Sequence, residues 1–301
     1  MQRCMSDEEL RMLNMQARTG CREDVIAYRR ALSRTGRLCF TREDTERFLG
    51  AEECYRPLHA QGSGLADALE AAIAQFGNDE VLTMPELVHA KVQDVNKEKW
   101  FWKTQCDTLS EELSGVDQKG VWVSAGSGVV VVHHGRGLIT PENIRNASRV
   151  RIIGSVQLEE RLWSEFLEGK LSNGRTTELY HIDELRGGIL PRKRNYGIIL
   201  PFEKAQITLL GLLSRKDFIK NNLVLARIVY KENIPAYFNK AQQNYTVGNQ
   251  HWHTTIPPQP EGRLLFLSDG YLGLYGNYCL SSNGRFATVV PKARGAPETN
   301  T

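Results

Sequence analysis

What the chain lacks narrows it first. No run of 18 apolar residues occurs, so no membrane-spanning helix and no membrane partner are expected. The opening twenty residues have no apolar core, so no secretory signal is expected either. The six cysteines, at 4, 21, 39, 54, 106 and 279, form no C-x-x-C pair and keep no regular spacing. That pattern points to reduced thiols in the cytoplasm rather than to a disulfide framework or a zinc site. Neither a P-loop nor a G-x-G-x-x-G fingerprint is present, and no cofactor is expected. Ser127, in Gly126-Ser127-Gly128, lacks the G-x-S-x-G spacing of a nucleophile elbow. Glu168-Gly169-Lys170 has the spacing of a nuclease E-x-K, without the upstream acid that would bind its metal. His251 and His253 alternate across one extended segment, but no Asp, Glu or Cys lies beside them to complete a metal site. No metal is expected.

What is present is an ordinary globular composition, 41% hydrophobic and 24% charged over 301 residues, with room for two domains. Residues 1–62 read as short helices, with Ser6 and Thr41 as caps; all eleven of their basic residues are arginine, offset by ten acids. Leu65 to Phe76 is an Ala-rich helix. From Met84 to Leu113 runs one helical pattern, opened by a Thr83/Glu86 capping box with Pro85 in the first turn and closed at Gly115. Val88, Val92, Val95, Trp102, Cys106, Leu109 and Leu113 keep a 3–4 spacing, the seam of a coiled coil through which the chain could self-associate or hold a protein partner. Trp100-Phe101-Trp102 cannot share one helical face, since neighbours diverge by roughly 100°.

After Gly115 the texture changes. Val121 to Val123, Val129 to Val132, Val150 to Ile153, Gly197 to Leu200, Ile207 to Leu213, Leu223 to Tyr230, Leu264 to Leu267, Tyr271 to Tyr275 and Phe286 to Val290 read as strands. Leu158 to Leu167 reads as a helix, and Ala125–Gly128 and Asn173-Gly174 as turns. The fold class is therefore α+β: a helical N-terminal region with a long helix at about 84–113, then a mainly antiparallel β-rich domain. The expected units are 1–62, 63–115, 116–291 and a loose tail at 292–301.

Charge divides at the same place. Residues 1–115 hold 15 basic and 20 acidic side chains, while residues 116–301 hold 23 and 15. The basic half is the candidate for an anionic partner, most plausibly nucleic acid bound by a regulatory protein. Arg192, Lys193 and Arg194, bounded by Pro191 and Gly197, make a phosphate-gripping loop with Tyr196 as a stacking ring. Arg145, Arg149 and Arg151 form a second basic cluster.

A different reading starts from Glu178 to Leu190, ELYHIDELRGGIL, which resembles the opening strand and helix of some ADP-ribosyltransferases. The resemblance implies that His181 contacts an NAD ribose and that Glu232 is a candidate acid. A third reading is a protein–protein adaptor working through the 84–113 helix.

Overall fold

The computed structural model describes residues 12, 15, 55–59, 64–76, 81–93, 106–135, 137–150, 154–205, 214–242, 255–267, 274–276 and 285–289. Its strands are β1 (Tyr55–His59), β2 (Cys106–Asp117), β3 (Ser127–His134), β4 (Val156–Gln157), β5 (Glu178–His181), β6 (Tyr196–Pro201), β7 (Glu261–Leu267), β8 (Leu274–Gly276) and β9 (Arg285–Val289). Its helices are α1 (Leu65–Phe76), α2 (Met84–Gln93), α3 (Pro141–Val150), α4 (Glu160–Leu167), α5 (Ile182–Gly187), α6 (Arg215–Lys220), α7 (Asn222–Ile228) and α8 (Asn233–Gln242).

The strands join in one nine-stranded sheet, ordered β1-β9-β2-β3-β6-β5, with β7 pairing β2, β4 and β8. Pairing is antiparallel except between β5 and β6 and at one Asp107–Phe286 contact of β2 with β9. The α+β class with a mainly antiparallel sheet stands. The expected boundary at 115/116 falls inside β2. Of the expected N-terminal helical region, only residues 12, 15 and 55–59 are described, and 55–59 is a strand. The 292–301 tail lies outside the described residues. Among the described residues no helix is long and apolar enough to cross a membrane.

β2 is the largest departure from the sequence pattern. The glutamate half of the capping box is present: the Thr83 amide and hydroxyl donate to Glu86 Oε2 at 2.8 and 2.9 Å. The helix it opens is α2, and β2 occupies the C-terminal part of the expected rod, while 94–105, with all three aromatics, lies outside the described residues. The coiled-coil seam is thus corrected. Leu109 and Leu113 are four apart, a spacing that suits one face of a strand as well as one face of a helix. In β2 they point into one hydrophobic cluster, while Thr108, Ser110, Glu112 and Ser114 face the other way.

Both faces of the sheet are covered. One side packs α2, α7 and α8 against Val130, Val132, Ile198, Leu200, Leu265 and Leu267. The other packs α1, α3 and α4 against Val129, Val131, Ile199, Leu264 and Phe286. Strands buried on both faces lose polar alternation and read as continuous apolar runs. This is why Val129 to Val132 was legible, and why Leu223 to Tyr230 was misleading. The latter run forms α7, whose seven residues are buried except half-buried Asn222, so it shows no amphipathic period. Asn221 caps α7 by accepting from the Leu223 and Val224 amides at 2.9 and 3.1 Å. Its end is a tight three-residue turn: Val229 has φ 63 and ψ −54, and the Tyr230 amide donates to the Ile228 carbonyl at 2.7 Å. A valine at positive φ is strained, and here it is held by full burial. Val150 ends α3 instead of opening a strand, and Val121 to Val123 lies in a loop.

The polar residues of β2 are buried with partners. Glu112 is bound by the Arg227 guanidinium of α7, Nε to Oε2 at 2.9 Å, both side chains fully buried. Glu111 Oε2 receives His133 Nδ1 at 2.7 Å across the strand pair, and its Oε1 accepts the Ile139 amide at 2.7 Å. On the opposite face, the Met84 amide donates to Ser110 Oγ, which donates to His134 Nδ1, whose Nε2–H donates to the Ala226 carbonyl. The chain fixes one neutral tautomer of His134, and burial holds its pKa down to about 3.

Two measurements test this core. Removing one partner of a fully buried ion pair strands the other charge, so Arg227→Met costs about 3–5 kcal/mol; a loss below about 1 kcal/mol in urea unfolding would show that the pair is not engaged. For His134, the unfolded chain takes up a proton near pH 6.5 and the folded chain only near 3. Acidification therefore favours unfolding in that window, by about 2 kcal/mol between pH 6.5 and 5. His134→Gln, which can keep both hydrogen bonds, is expected to flatten the stability–pH curve by that amount relative to wild type.

Candidate functional site

The residues singled out from the sequence are mostly engaged inside the protein. Arg194 forks onto Glu86, with Nε to Oε1 at 2.6 Å and Nη2 to Oε2 at 2.9 Å, and also reaches the Val81 carbonyl at 2.9 Å. It staples the 191–195 loop to the start of α2. Burial alone would raise the Glu86 pKa, but the bonds from Arg194 and Thr83 outweigh it and hold the carboxyl below its ordinary value. Lys193 pairs with Glu178 at 2.9 Å, and Glu178 also accepts from the Tyr180 hydroxyl at 2.7 Å. Tyr196 is buried, its ring 5.0 Å from that of His134, and burial drives its pKa upward. It cannot stack on a base. Arg145 is held by Asp67, at 2.8 Å, and by Glu70, joining α3 to α1. Arg149 is exposed in the last turn of α3, and Arg151 lies outside the described residues. Of the proposed phosphate loop only Arg192 stands exposed without an ion pair among the described residues.

His181 ends β5 and caps α5. Its Nδ1 accepts the Asp183 amide at 3.3 Å, while its own amide donates to Glu184 at 2.6 Å. The strand-then-helix order over 178–187 is as expected, but the histidine is occupied as a helix cap. Glu232 is exposed in the turn between α7 and α8, not beyond a strand. Among the described residues no cluster of His, Cys, Asp and Glu could hold a metal ion. Ser110 and His134 have the spacing of a nucleophile and base, but both are fully buried and the chain behind them ends on a backbone carbonyl. They act as a hydrogen-bonded strut.

A built surface lies at the other end of β2, where sequence reasoning placed only a strand and a turn. Asp117 gathers four backbone amides of the following loop: Gly120 and Val121 on Oδ1 at 2.9 and 3.1 Å, Trp122 and Val123 on Oδ2 at 2.7 and 3.2 Å. The loop closes with the Gly126 amide on the Asp117 carbonyl at 2.8 Å, and Gly126 itself takes φ 81. Trp122 is anchored by its indole N–H on the Leu167 carbonyl at 2.7 Å, and its ring rests partly against the core. Trp163 donates to the Val116 carbonyl at 2.8 Å beneath. There is no room for a side chain at Gly115, where a Cβ would lie 2.8 Å from the Trp163 ring.

The loop presents Val121, 45% exposed, beside a charged rim. Glu168 there binds Lys119 at 2.6 Å and Lys170 at 2.8 Å, and those two bonds lower its pKa to about 2. Ile256, 39% exposed, lies against Gly128 at the same end of the sheet but on the opposite face from Trp122. An apolar centre, a charged rim and a loop fixed before any ligand arrives make a recognition platform, because the ordering cost of binding is already met. The one signal in the sequence was Asp117 followed closely by Gly120 and Gly126, a side chain able to accept amides of a turn.

Asp117→Ala removes the acceptor of four amides. Hydrogen exchange at residues 120–123 is expected to rise by at least about tenfold while β3 and β6 amides stay protected. Unchanged exchange at those four amides would show that the loop is held by something else.

No protein-family model and no curated protein matches the chain. Among solved structures, a nanoarchaeal protein is similar over 79% of this chain and 96% of its own, at 24% identity and a TM-score of 0.55. It is described as accommodating massive sequence variation by the C-type lectin fold. The likeness speaks to fold; it counts against the nucleic-acid and DNA-binding expectation, and three of the six cations expected to reach phosphates are paired internally. It gives no support to the ADP-ribosyltransferase or regulatory readings. The architecture described above is that of the C-type lectin fold.

Proposed function

We propose that this is a ligand-recognition protein that uses the C-type lectin fold as a scaffold and the 118–126 loop as its contact surface. The observation that carries this reading is the Asp117-held loop, a rigid exposed platform at the end of the central strand. Its apolar centre and paired-charge rim suit the surface of another protein, where a buried apolar patch is ringed by polar contacts. The nanoarchaeal structure supports it from another side, since there the same fold accommodates massive sequence variation. In this chain the buried pairs of β2 hold the sheet without help from the platform, so platform side chains are free to differ. The buried thiol of Cys106, not in a disulfide, supports a reducing compartment, and we place the protein in the cytoplasm.

Protein and glycan arrays probed with the purified chain test the reading. A protein ligand is expected that Val121→Asp weakens by about 10-fold or more, because a charge is forced into an apolar contact. Thermal midpoints should move by less than about 2 °C, as for other exposed sites. Retention of that ligand by this variant would remove the platform from consideration, and glycan binding alone would replace the protein ligand with a carbohydrate.

A further inference from the structure

We propose that a second surface, the tip of the 187–192 loop with the turn after α7, docks onto an anionic phospholipid membrane. Ile189 and Leu190 are consecutive and 51% and 44% exposed at the end of a Gly187-Gly188 lead, where Gly188 takes φ 96. The loop is tied to the α6–α7 region: the Arg186 guanidinium donates to Asn222 Oδ1 at 2.7 Å and to the Lys220 carbonyl at 2.8 Å. Lys231 Nζ donates to the Arg186 carbonyl at 2.7 Å. These ties bring the strained Val229 turn and exposed Tyr230 to the same side as the loop tip.

Several cations near the tip are not neutralised by an ion pair among the described residues. Arg194, Lys193, Lys204 and Arg145 all sit on carboxylates. Arg186 and Lys231 instead spend donors on neutral acceptors, and among the described residues neither they nor Arg192 forms an ion pair. Of the nearby acids, Glu178 is held by Lys193, Asp183 by Lys204 and Glu184 by the His181 amide, leaving Glu232 exposed.

This pattern decides between partners. A carboxylate on a partner protein is best recognised by guanidinium forks, and of the two arginines at the tip the Arg186 fork is already occupied, leaving Arg192 alone. A diffuse anionic surface needs only positive field close by, with apolar side chains to enter the headgroup boundary. Ile189 and Leu190 supply the insertion, and Tyr230 is the residue type that settles at a membrane interface. No spanning segment is required. The expectation of no membrane partner rested on the missing 18-residue apolar run, which does not bear on peripheral contact.

The test is co-sedimentation of the full chain with vesicles, comparing phosphatidylcholine alone with phosphatidylcholine carrying about 30 mol % phosphatidylserine. The chain is expected to partition onto the anionic vesicles, less so as salt rises. The double variant Ile189→Ser/Leu190→Ser should lose about tenfold or more in partitioning. Arg192→Glu should also weaken it. These side chains are exposed, so an unchanged thermal midpoint separates lost docking from lost folding. Val121→Ser, on the ligand platform, should partition as wild type does. The proposal is overturned by no partitioning, by equal partitioning of the double variant, or by loss in Val121→Ser.

Discussion

A strand that runs Asp-Thr-Leu-Ser-Glu-Glu-Leu-Ser through the middle of a protein holds its place only if its carboxylates are met there. Glu112 meets Arg227 on one face, Glu111 meets His133 on the other, and Asp117 meets four amides at the end. A buried carboxylate without such a partner would cost several kcal/mol, comparable to the whole stability of a domain. The helices on both sides are therefore positioned by these contacts as well as by apolar packing. Arg227 fixes α7, the Ser110–His134 chain ties α7 to the start of α2, and Glu111 draws in the segment leading to α3.

The same pairings explain which parts of the fold could be read from sequence. Leu65 to Phe76, Leu158 to Leu167, Val129 to Val132 and the Thr83/Glu86 cap were legible because periodicity, β-branching and capping act locally. β2 was not, because its burial depends on Arg227, 115 residues away in the chain, and on His133, 22 residues from Glu111. Nothing near Glu111 and Glu112 in sequence marks them as interior, and four-residue leucine spacing serves either structure. α7 failed for the opposite reason: burial on every side erased its period.

The candidate site followed a similar logic. Clustered arginines and lysines were visible, but whether a cation faces outward depends on distant carboxylates such as Glu86 and Glu178. Lys193, Arg194 and Arg145 are met by such carboxylates, whereas among the described residues Arg192, beside Ile189 and Leu190, is not. The ligand platform was harder still, since its stiffness comes from one aspartate bonding backbone amides, which any loop sequence possesses. These internal pairings take away the cations on which phosphate recognition chiefly rested.

Glu111 and Glu112 stand side by side in β2 and point to opposite faces, one toward a histidine and one toward an arginine. A slip of the strand by one residue turns every side chain over. Moved one way, Glu112 takes the place opposite His133 and Leu113 is set against Arg227; moved the other, Glu111 reaches Arg227 and Ser110 faces His133. Either misalignment keeps one charge contact and forfeits the other. The tandem glutamates thus make a checksum for strand alignment: a single pair would tolerate a near-miss, whereas both pairs are satisfied together in one register alone.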